Sequence, residues 1–459
     1  MRVALAACLL FACGDNGGGD DAPVELPPWD PTLPVARELG DARGLVPARG
    51  IIHLHSPYSH DACDGDPRDD DGVPNEPCLQ DLRAALCTTH VDFAALTDHD
   101  DTMADEDFTT LYSMRGTDTA VMAGDDQIAS QITCADGHVV SITIGGENEL
   151  MPIMLDRHVP GTIAERHAIY NDETGTAAAV FREAGGLSWV AHTESKSLEL
   201  LRAAADGIEV YNLHANIDPD IRRDFLGLDP DDALVEAAEF ADTNPGHPEP
   251  DLAMLAFLTP NQPAIEKWHT LLGEGRKIPV SNGSDAHQNA IPVTFADGER
   301  GDSYRRVMRW FSNIALVTDP TDPEAVQSAL AAGRMFTLFE ILGTPIGFDV
   351  TATGGIELGG TAAVGDSLRV TLPAVRNLDP VLPAPEIRAR VIHIAPGGTA
   401  TEVAAGSEAE LVVPLDAAGA YRVELLIVPH HLGPYLHDLG PDLAAAELPW
   451  IYASPIYVE

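Results

Sequence analysis

Short apolar segments that adjoin histidine or aspartate recur between residues 51 and 287, and they constrain the fold more than any other feature of the chain. The first is residues 51–61, with the sequence IIHLHSPYSHD. Side chains alternate between the two faces of a β-strand, so His53 and His55 point the same way. Two imidazoles, with His60 or Asp61 a few residues on, form a ligand set suited to a transition metal. The alternative is a pair of surface histidines.

Later segments repeat this arrangement of a buried strand and a polar motif. The motifs are TDHD at 97–100, GDD at 124–126, GH at 137–138, AH at 191–192 and GSDAH at 283–287. Helical patterns separate the strands, which predicts a parallel sheet with right-handed crossovers. The polar residues lie mostly at the carboxyl ends of strands, where a (β/α) barrel has its active site.

The length of 459 residues favours two domains. Residues 22–49 are rich in proline and predict an extended strap. Residues 50–343 carry the strand–helix alternation and the polar motifs. After about Gly343, glycine-rich turns and alternating apolar segments predict a small antiparallel β-sandwich domain over 344–459.

The N-terminus predicts export. An apolar run follows Arg2 and is too short to span a bilayer. Residues 10–13, with the sequence LFAC, resemble the lipobox of a bacterial lipoprotein, which makes Cys13 the lipidated first mature residue. The Gly- and Asp-rich residues up to 21 then form a tether. The expected location is the cell envelope, either periplasmic or on the outer surface, with a lipid anchor as the only membrane contact.

Four cysteines remain once Cys8 and Cys13 are set aside. In an exported protein they indicate two disulfides, for which three pairings exist. Proximity in sequence favours Cys63–Cys78, which leaves Cys87–Cys134. The acidic loop between the first two, Asp64–Asp71, either holds Ca²⁺ or is a plain acidic loop.

The charge balance excludes some partners. The chain has 27 basic and 72 acidic residues and a formal net charge of −45. Such a surface repels nucleic acid and anionic lipid, so no nucleic-acid partner is expected. It also repels anionic substrates unless metal ions reverse the field inside a pocket.

The ordered series HLHSPYSHD, TDHD, GDD, GH, AH and GSDAH resembles the polymerase and histidinol phosphatase (PHP) family of metal-dependent hydrolases. The resemblance implies a distorted (β/α)7 barrel with two or three divalent ions (Zn, Mn or Fe). It implies one metal on His53, His55, Asp126 and Asp285. It implies a second metal on Asp126, as a bridge, with His138 and His192, and a third on His99, His287 and either His60 or Asp61. Asp98 would orient ligands from outside the metal shell.

One departure from the family pattern concerns the bridging acid. The family usually has Glu in a Gly-x-Glu setting at this place, whereas this sequence has Asp126. Asp125 is the alternative candidate for the bridging acid.

The implied function is a phosphoesterase that acts on a small-molecule phosphate ester. Metal lowers the pKa of bound water and so supplies hydroxide; Asp126, His192 and Asp285 are the expected catalytic residues. Lys196 is either a cation for phosphate or a solvated lysine. Glu209 and Asn212 are either hydrogen-bonding partners of ligands or ligands themselves.

Two other functions remain open: a metal-stabilised binding lipoprotein without catalysis, and a hydrolase of a non-phosphate bond. The other histidines, His214 among them, belong to no motif and are expected to be structural or exposed.

Overall fold

The computed structural model of the protein describes residues 26–459. Cys8, Cys13 and the tether lie outside this range, so the lipid anchor stays a prediction. Within the described range, no helix is both long and apolar enough to cross a membrane.

The fold is mixed α/β. The strands are β1 Val46–Leu54, β2 Phe93–Leu96, β3 Thr119–Ala123, β4 Asp126–Thr133, β5 Val139–Ile144, β6 Met151–Ile153, β7 Leu187–Val190, β8 Gly207–Asn212, β9 Val280–Gly283, β10 Ser312–Val317, β11 Met335–Leu338, β12 Pro345–Ile346, β13 Asp349–Ala352, β14 Thr361–Ala362, β15 Ser367–Thr371, β16 Ala374–Val375, β17 Glu386–Ile394, β18 Ala400–Gly406, β19 Glu410–Pro414, β20 Gly419–Val428, β21 Leu448–Ala453 and β22 Ile456–Val458.

The α-helices are α1 Glu76–Thr88, α2 Asp100–Met103, α3 Ile163–Tyr170, α4 Ala177–Glu183, α5 Leu198–Ala204, α6 Leu213–Ile217, α7 Pro219–Ile221, α8 Asp232–Ala238, α9 Gln262–Gly273, α10 Tyr304–Trp310, α11 Pro323–Ala331, α12 Gly433–Leu436 and α13 Gly440–Leu443. The strap is shorter than predicted, because residues 46–49 already belong to β1.

A large central sheet contains β1, β2 and β5, which lie next to the first polar motifs of the sequence. Its order is β14-β22-β20-β21-β11-β10-β1-β2-β5-β4-β3, with β17 and β18 attached beyond β20. Strands β1, β2 and β5 are parallel, and β10 pairs with β1 in the antiparallel sense. The fully buried pattern of β1 reflects its position inside this sheet, covered on both faces.

A second sheet has the order β6-β7-β8-β9, in which β7, β8 and β9 are parallel and β6 is antiparallel. Two isolated bridges connect the sheets, Leu54↔Ala286 in the parallel sense and Ile144↔Leu155. The carboxyl ends of β1, β2, β5, β7, β8 and β9 therefore face one side. The distorted (β/α)7 barrel stays a prediction, since these six strands are divided between two sheets.

The C-terminal strands extend the central sheet. β21 pairs with β11 through Phe336↔Ala453, Thr337↔Tyr452 and Leu338↔Ile451. A separate three-stranded sheet contains β13, β15 and β19. The division at residues 343 and 344 stays a prediction, but the strands on its two sides are hydrogen-bonded to each other.

Two disulfides hold α1 at both ends. Cys63–Cys78 ties the loop after β1 to the first turn of α1, and Cys87–Cys134 ties the last turn to the β4–β5 hairpin. Both predicted pairings are confirmed. The helix starts where Asn75 caps the backbone N–H of Cys78, and its buried stripe includes Leu79, Leu82 and Leu86.

The acidic loop between Cys63 and Cys78 does not gather its carboxylates. Asp64 pairs with Arg300 at 2.7 Å, and Asp69 accepts hydrogen bonds from the backbone of Asp71 and Val73. Within residues 26–459, no group of three ligand atoms forms in this loop. The geometry therefore lends no support to a Ca²⁺ site here.

Candidate metal centre

Polar side chains that follow six strands meet at one edge of the two sheets. We call this set the His–carboxylate cluster. Its members are His53 on β1, His55 and Asp61 after β1, His99 after β2, Glu147 after β5, His192 after β7, His214 after β8, and Asp285 and His287 after β9. Parallel strands explain the convergence, because their carboxyl ends lie on one side.

The ligand atoms fall into three groups, each within 4.8 Å. One group contains His53, His55, Glu147 and Asp285. A second contains His55, Asp61, His99 and His287. The third contains His192, His214 and Asp285. Asp285 and His55 each occur in two groups, so the three candidate sites are contiguous.

The spacing between ligand atoms fits metal coordination. His53 Nε2 lies 3.2 Å from Asp285 Oδ1 and 3.3 Å from Glu147 Oε2. His192 Nε2 lies 3.1 Å from Glu147 Oε1 and 3.2 Å from Asp285 Oδ2. Ligands about 2.0–2.1 Å from a tetrahedral zinc ion are about 3.3–3.4 Å apart. The donor set of imidazole and carboxylate suits Zn, Mn or Fe.

Asp285 tests whether this set fits a cation. Its side chain is 1% exposed, and neither carboxylate oxygen has a hydrogen-bond partner in the described residues. Five imidazoles surround it, those of His53, His55, His192, His214 and His287. Short N···O distances without hydrogen-bond geometry are expected when both atoms are directed at a common ion. A buried carboxylate with no such ion would be costly, so the residues fit a metal site.

Neighbouring groups orient the imidazoles. His53 Nδ1 donates to Glu209 Oε1 at 2.8 Å, and His55 Nδ1 donates to Ser59 Oγ at 2.9 Å. His99 Nδ1 donates to the carbonyl oxygen of Glu147 at 2.7 Å. Each contact occupies Nδ1 and directs Nε2 into the cluster, where His53 Nε2 and His55 Nε2 lie 3.2 Å apart. This is the usual arrangement around metal-bound histidines.

Glu209 is the centre of this outer layer. Its Oε2 accepts from Asn212 Nδ2 at 2.8 Å and from the backbone N–H of His192 at 3.1 Å. Glu209 and Asn212 thus act as hydrogen-bonding partners of ligand residues, which is one of the two roles that the sequence left open for them. A Cβ atom at Gly283 would lie 2.1 Å from Glu209 Oε1, so only glycine fits there.

The electrostatics favour positive charge at this edge. Burial lowers the pKa of His55, but its short contacts with the carboxylates of Asp285 and Glu147 outweigh burial and raise the pKa to about 9. For Asp285, burial raises the pKa, and the charges of His53 and His287 with the contacts of His192 and His214 bring it well below its usual value. Carboxylates held ionised next to free imidazole nitrogens are prepared for a cation.

The carboxylate of Asp98 holds the loop after β1, and the carbonyl oxygen of Asp98 accepts from the backbone N–H of Glu147 at 3.3 Å. The carboxylate accepts from the backbone N–H of Ser56 at 2.6 Å and from Ser56 Oγ at 2.7 Å. Burial raises the pKa of Asp98 to about 6, against the opposing effect of His55. Its expected orienting role is therefore exerted on the backbone that carries His55 and Asp61.

Two ligand residues have backbone conformations that L-amino acids rarely adopt. His192 has φ 48° and Asp285 has φ 50°. Such strain costs about 1–3 kcal/mol per residue and concentrates at functional sites. It supports the view that these two side chains are held in place for binding.

Asp126 and His138 do not join the cluster, which corrects the predicted ligand set. Asp126 begins β4 near the sheet edge, is 45% exposed and accepts from Arg157 Nη1 at 3.0 Å. His138 precedes β5, and its Nε2 donates to the carbonyl oxygen of Val91, which precedes β2. A residue before a parallel strand lies at the opposite edge from one after it, so His138 cannot reach His53.

His60 also lies outside the cluster. Its side chain is 57% exposed and its Nδ1 is 3.1 Å from Asp101. Asp61 Oδ2, in contrast, is 3.1 Å from His287 Nε2 and 3.4 Å from His99 Nε2. Of the two alternatives, the geometry favours Asp61.

Lys196 is paired with Glu149 at 3.0 Å.

Two members of the cluster were missed from the sequence, Glu147 and His214. Glu147 is part of Gly145-Gly146-Glu147, which meets the Gly-x-Glu pattern and directly follows β5. The motif was therefore visible. His214 follows Asn212 at the end of β8, and only its position after that strand could have indicated it.

A cavity of about 420 Å³ opens beside the cluster. Asp61, His214, Asp285 and His287 line it. Cavities of about 300–1,000 Å³ are typical of small-molecule sites. A small molecule in this cavity would touch the candidate metal centre directly.

The comparisons with known proteins give low similarity. No family model and no curated protein matches the chain. Among solved structures, a two-domain protein from Bacteroides vulgatus is described as containing a predicted PHP-like metal-dependent phosphoesterase. It is 12% identical, with a TM-score of 0.33, over 93% of this chain and 98% of that chain.

A second solved structure is PsfC from Pseudomonas syringae. It is 12% identical, with a TM-score of 0.31, over 62% of this chain and 88% of that chain. TM-scores this low leave the function to be judged from the site itself.

Proposed function

We propose that this protein is a metal-dependent hydrolase that acts on phosphate esters. The observation that supports this most is Asp285, whose two buried oxygens have no hydrogen-bond partner among residues 26–459 and face five imidazoles. Glu147 faces the same imidazoles from β5. Contiguous candidate metal sites beside a cavity suit the hydrolysis of a phosphate ester.

The residues of the chain would hold two or three divalent ions in fixed positions. Such ions lower the pKa of coordinated water and polarise phosphoryl oxygens. Asp285 would be shared between sites, and Glu147 would link His192 to His53 and His55. His214 is 48% exposed and borders the cavity, so it is placed to contact a substrate as well as a cation.

The charge of the site explains how an acidic protein can take an anionic substrate. Three carboxylates take part in the cluster, Asp61, Glu147 and Asp285. Two or three divalent ions more than offset their charge and make the site locally positive. The surrounding surface, with a net charge of −45, would still repel nucleic acid.

We also propose that the protein is exported and attached to the cell envelope through Cys13, with a small-molecule phosphate ester as its substrate. The two disulfides support an oxidising compartment, where such bonds persist. Mass spectrometry of the mature N-terminus tests this: an acyl mass on Cys13 supports the anchor, and cleavage elsewhere without that mass contradicts it.

Metal content and turnover test the enzymatic proposal together. The purified protein should contain at least two divalent ions per chain and should release nitrophenolate from p-nitrophenyl phosphate or bis(p-nitrophenyl) phosphate. Chelation should abolish activity, and Zn, Mn or Fe should restore it. The Asp285→Asn variant should lose both metal and turnover, because it removes the charge shared between sites.

Asp136→Asn is the control for Asp285→Asn, because Asp136 is an exposed aspartate. Asp302→Asn would not serve, because Asp302 is buried and lines the cavity. Metal binding without turnover of either phosphate would favour a binding lipoprotein. Turnover of p-nitrophenyl acetate alone would favour a non-phosphate bond. A protein that binds no metal would contradict the whole proposal.

A further inference from the structure

Part of the cavity lining is apolar. It contains Leu213, Ile217, Leu234, Ile291, Val307 and Trp310. These side chains come from α6, α8, α10 and the loop after β9. Leu213, Val307 and Trp310 are buried, whereas the other three are half-buried at the cavity surface. The cavity lining thus combines residues of the His–carboxylate cluster with apolar residues.

Within residues 26–459, neither lysine nor arginine lines this cavity. Asp302 does line it, and this carboxylate accepts from the backbone N–H groups of Ala290 and Ile291 and from Arg300. Asp218 also lines the cavity and caps α7. A second anionic group on a substrate would find no cation here and would meet these carboxylates.

We propose that the substrate carries an uncharged, apolar organic group on its phosphate, and that this group packs against the wall formed by α6, α8 and α10. This rests on the proposed function for the position of the phosphate at the cluster. The volume of about 420 Å³ accommodates an aryl or branched alkyl group. Sugar phosphates and polyanionic phosphates are poorer substrates, because their polar groups would be desolvated against apolar side chains.

Paired substrates test this. The metal-loaded protein should hydrolyse 1-naphthyl phosphate with kcat/KM at least about 10-fold above that for 2-glycerol phosphate, since even small apolar differences change this ratio about 10- to 200-fold. Fructose 1,6-bisphosphate should be poorer still. Inorganic phosphate release serves as the common readout.

Variants of the wall provide the structural control. Leu234→Asp places a charge in the cavity, whereas Val235→Asp changes the next residue of α8, which is 67% exposed and does not line it. Leu234→Asp should lower kcat/KM for 1-naphthyl phosphate at least about 10-fold, and Val235→Asp should leave it within about twofold. Ile291→Asn tests the wall from another segment if Leu234→Asp does not fold.

Binding of 1-naphthylphosphonate, which cannot be hydrolysed, separates the two proposals. Suppose that calorimetry detects binding, that Leu234→Asp weakens it at least about 10-fold, and that the protein has no phosphatase activity. This result supports the apolar wall and contradicts the proposed function. Equal kcat/KM for 1-naphthyl and 2-glycerol phosphate, unchanged in Leu234→Asp and Ile291→Asn, overturns the apolar wall and leaves the proposed function standing. A protein that neither binds 1-naphthylphosphonate nor hydrolyses a phosphate ester would overturn both proposals.

Discussion

Glu147, which follows β5, contacts histidines of two candidate metal groups. Its Oε2 lies 3.3 Å from both His53 Nε2 and His55 Nε2, and its Oε1 lies 3.1 Å from His192 Nε2. One carboxylate therefore faces two sites with separate oxygens. Its charge reduces the repulsion between cations bound on either side.

Changing Glu147 to Gln should remove metal. The substitution keeps the size of the side chain but deletes one negative charge between the cation positions, so we expect the loss of at least one ion per chain. Turnover should fall about 100-fold or more, because the loss of a well-placed charge in a water-poor site costs about 3 kcal/mol of transition-state stabilisation. Elemental analysis and p-nitrophenyl phosphate hydrolysis measure the two effects.

Asp126→Asn is the matched control for this experiment. Asp126 is the acid that the motif pattern first suggested, but its side chain is 45% exposed and pairs with Arg157. We expect unchanged metal content and turnover. Loss of metal in Asp126→Asn with retention in Glu147→Gln would show that the bridging acid has been misplaced.

At the scale of elements, the loop after β1 depends on its disulfide. Asp61 lies two residues before Cys63, and the backbone N–H of Cys63 donates to the carbonyl oxygen of His287 at 2.8 Å. The Cys63–Cys78 bond thus holds the loop that carries Asp61 against the segment that carries His287. Both residues belong to the same candidate metal group.

Replacing Cys63 and Cys78 by Ser should therefore weaken that metal group. We expect a loss of about 3 kcal/mol of unfolding free energy for the 15-residue separation. The affinity for the last-bound ion should fall as well, which a titration of chelated protein measures. The double variant Cys87→Ser, Cys134→Ser controls for stability alone: it should destabilise the fold by a similar amount without changing metal affinity.

The packing of α9 on β17 and β20 makes stability depend on pH. His269 on α9 accepts a hydrogen bond at Nε2 from Arg422 Nε of β20, at 2.9 Å. Burial and the charges of Arg422 and Arg390 lower the pKa of His269 to about 4. The unfolded chain has the ordinary value of about 6.5 and binds the proton first as the pH falls.

Acidification should therefore destabilise this contact. The contribution of His269 is complete above about pH 6.5 and is lost as the pH falls towards 4; at pH 5 we expect a loss of about 1–2 kcal/mol, given that the side chain is half-buried. His269→Gln keeps an acceptor but does not titrate, so its unfolding free energy should change less between pH 7.5 and 5. Urea unfolding of both proteins measures the difference. Identical pH dependence in the two would contradict this.

At the scale of the whole molecule, β11 connects the site region to the C-terminal strands. β21 pairs with it, the backbone N–H of Phe339 donates to the carbonyl oxygen of Trp450, and Trp450 Nε1 donates to that of Gly343. Trp450 is fully buried. The C-terminal strands thus cover an edge that would otherwise be open.

A chain truncated after residue 343 should not fold stably. It would expose the hydrogen-bonding edge of β11 and the apolar surface that Trp450 covers, and open edges of this kind promote aggregation. We expect aggregates in size-exclusion chromatography and the loss of metal binding. A monomeric, cooperatively unfolding fragment that still binds metal would instead support an independent domain ending near this residue.

The sequence alone determined the features that depend on local periodicity and chain direction. The alternation of side chains in β1 put His53 and His55 on one face, and the carboxyl ends of parallel strands brought His99, His192, Asp285 and His287 towards them. Proximity in sequence favoured the Cys63–Cys78 disulfide, and Cys87–Cys134 was the pair that remained. The strand–helix alternation also indicated the mixed α/β fold.

Only the tertiary structure decided which polar residues lie at the shared edge. His138 and Glu147 flank the same strand, β5, and its direction places only Glu147 at the site. Asp126 is excluded because β4 lies near the outer edge of the sheet. His214 and the pairing of β21 with β11 depend on contacts between segments far apart in the chain, and these leave no periodic signal in the sequence.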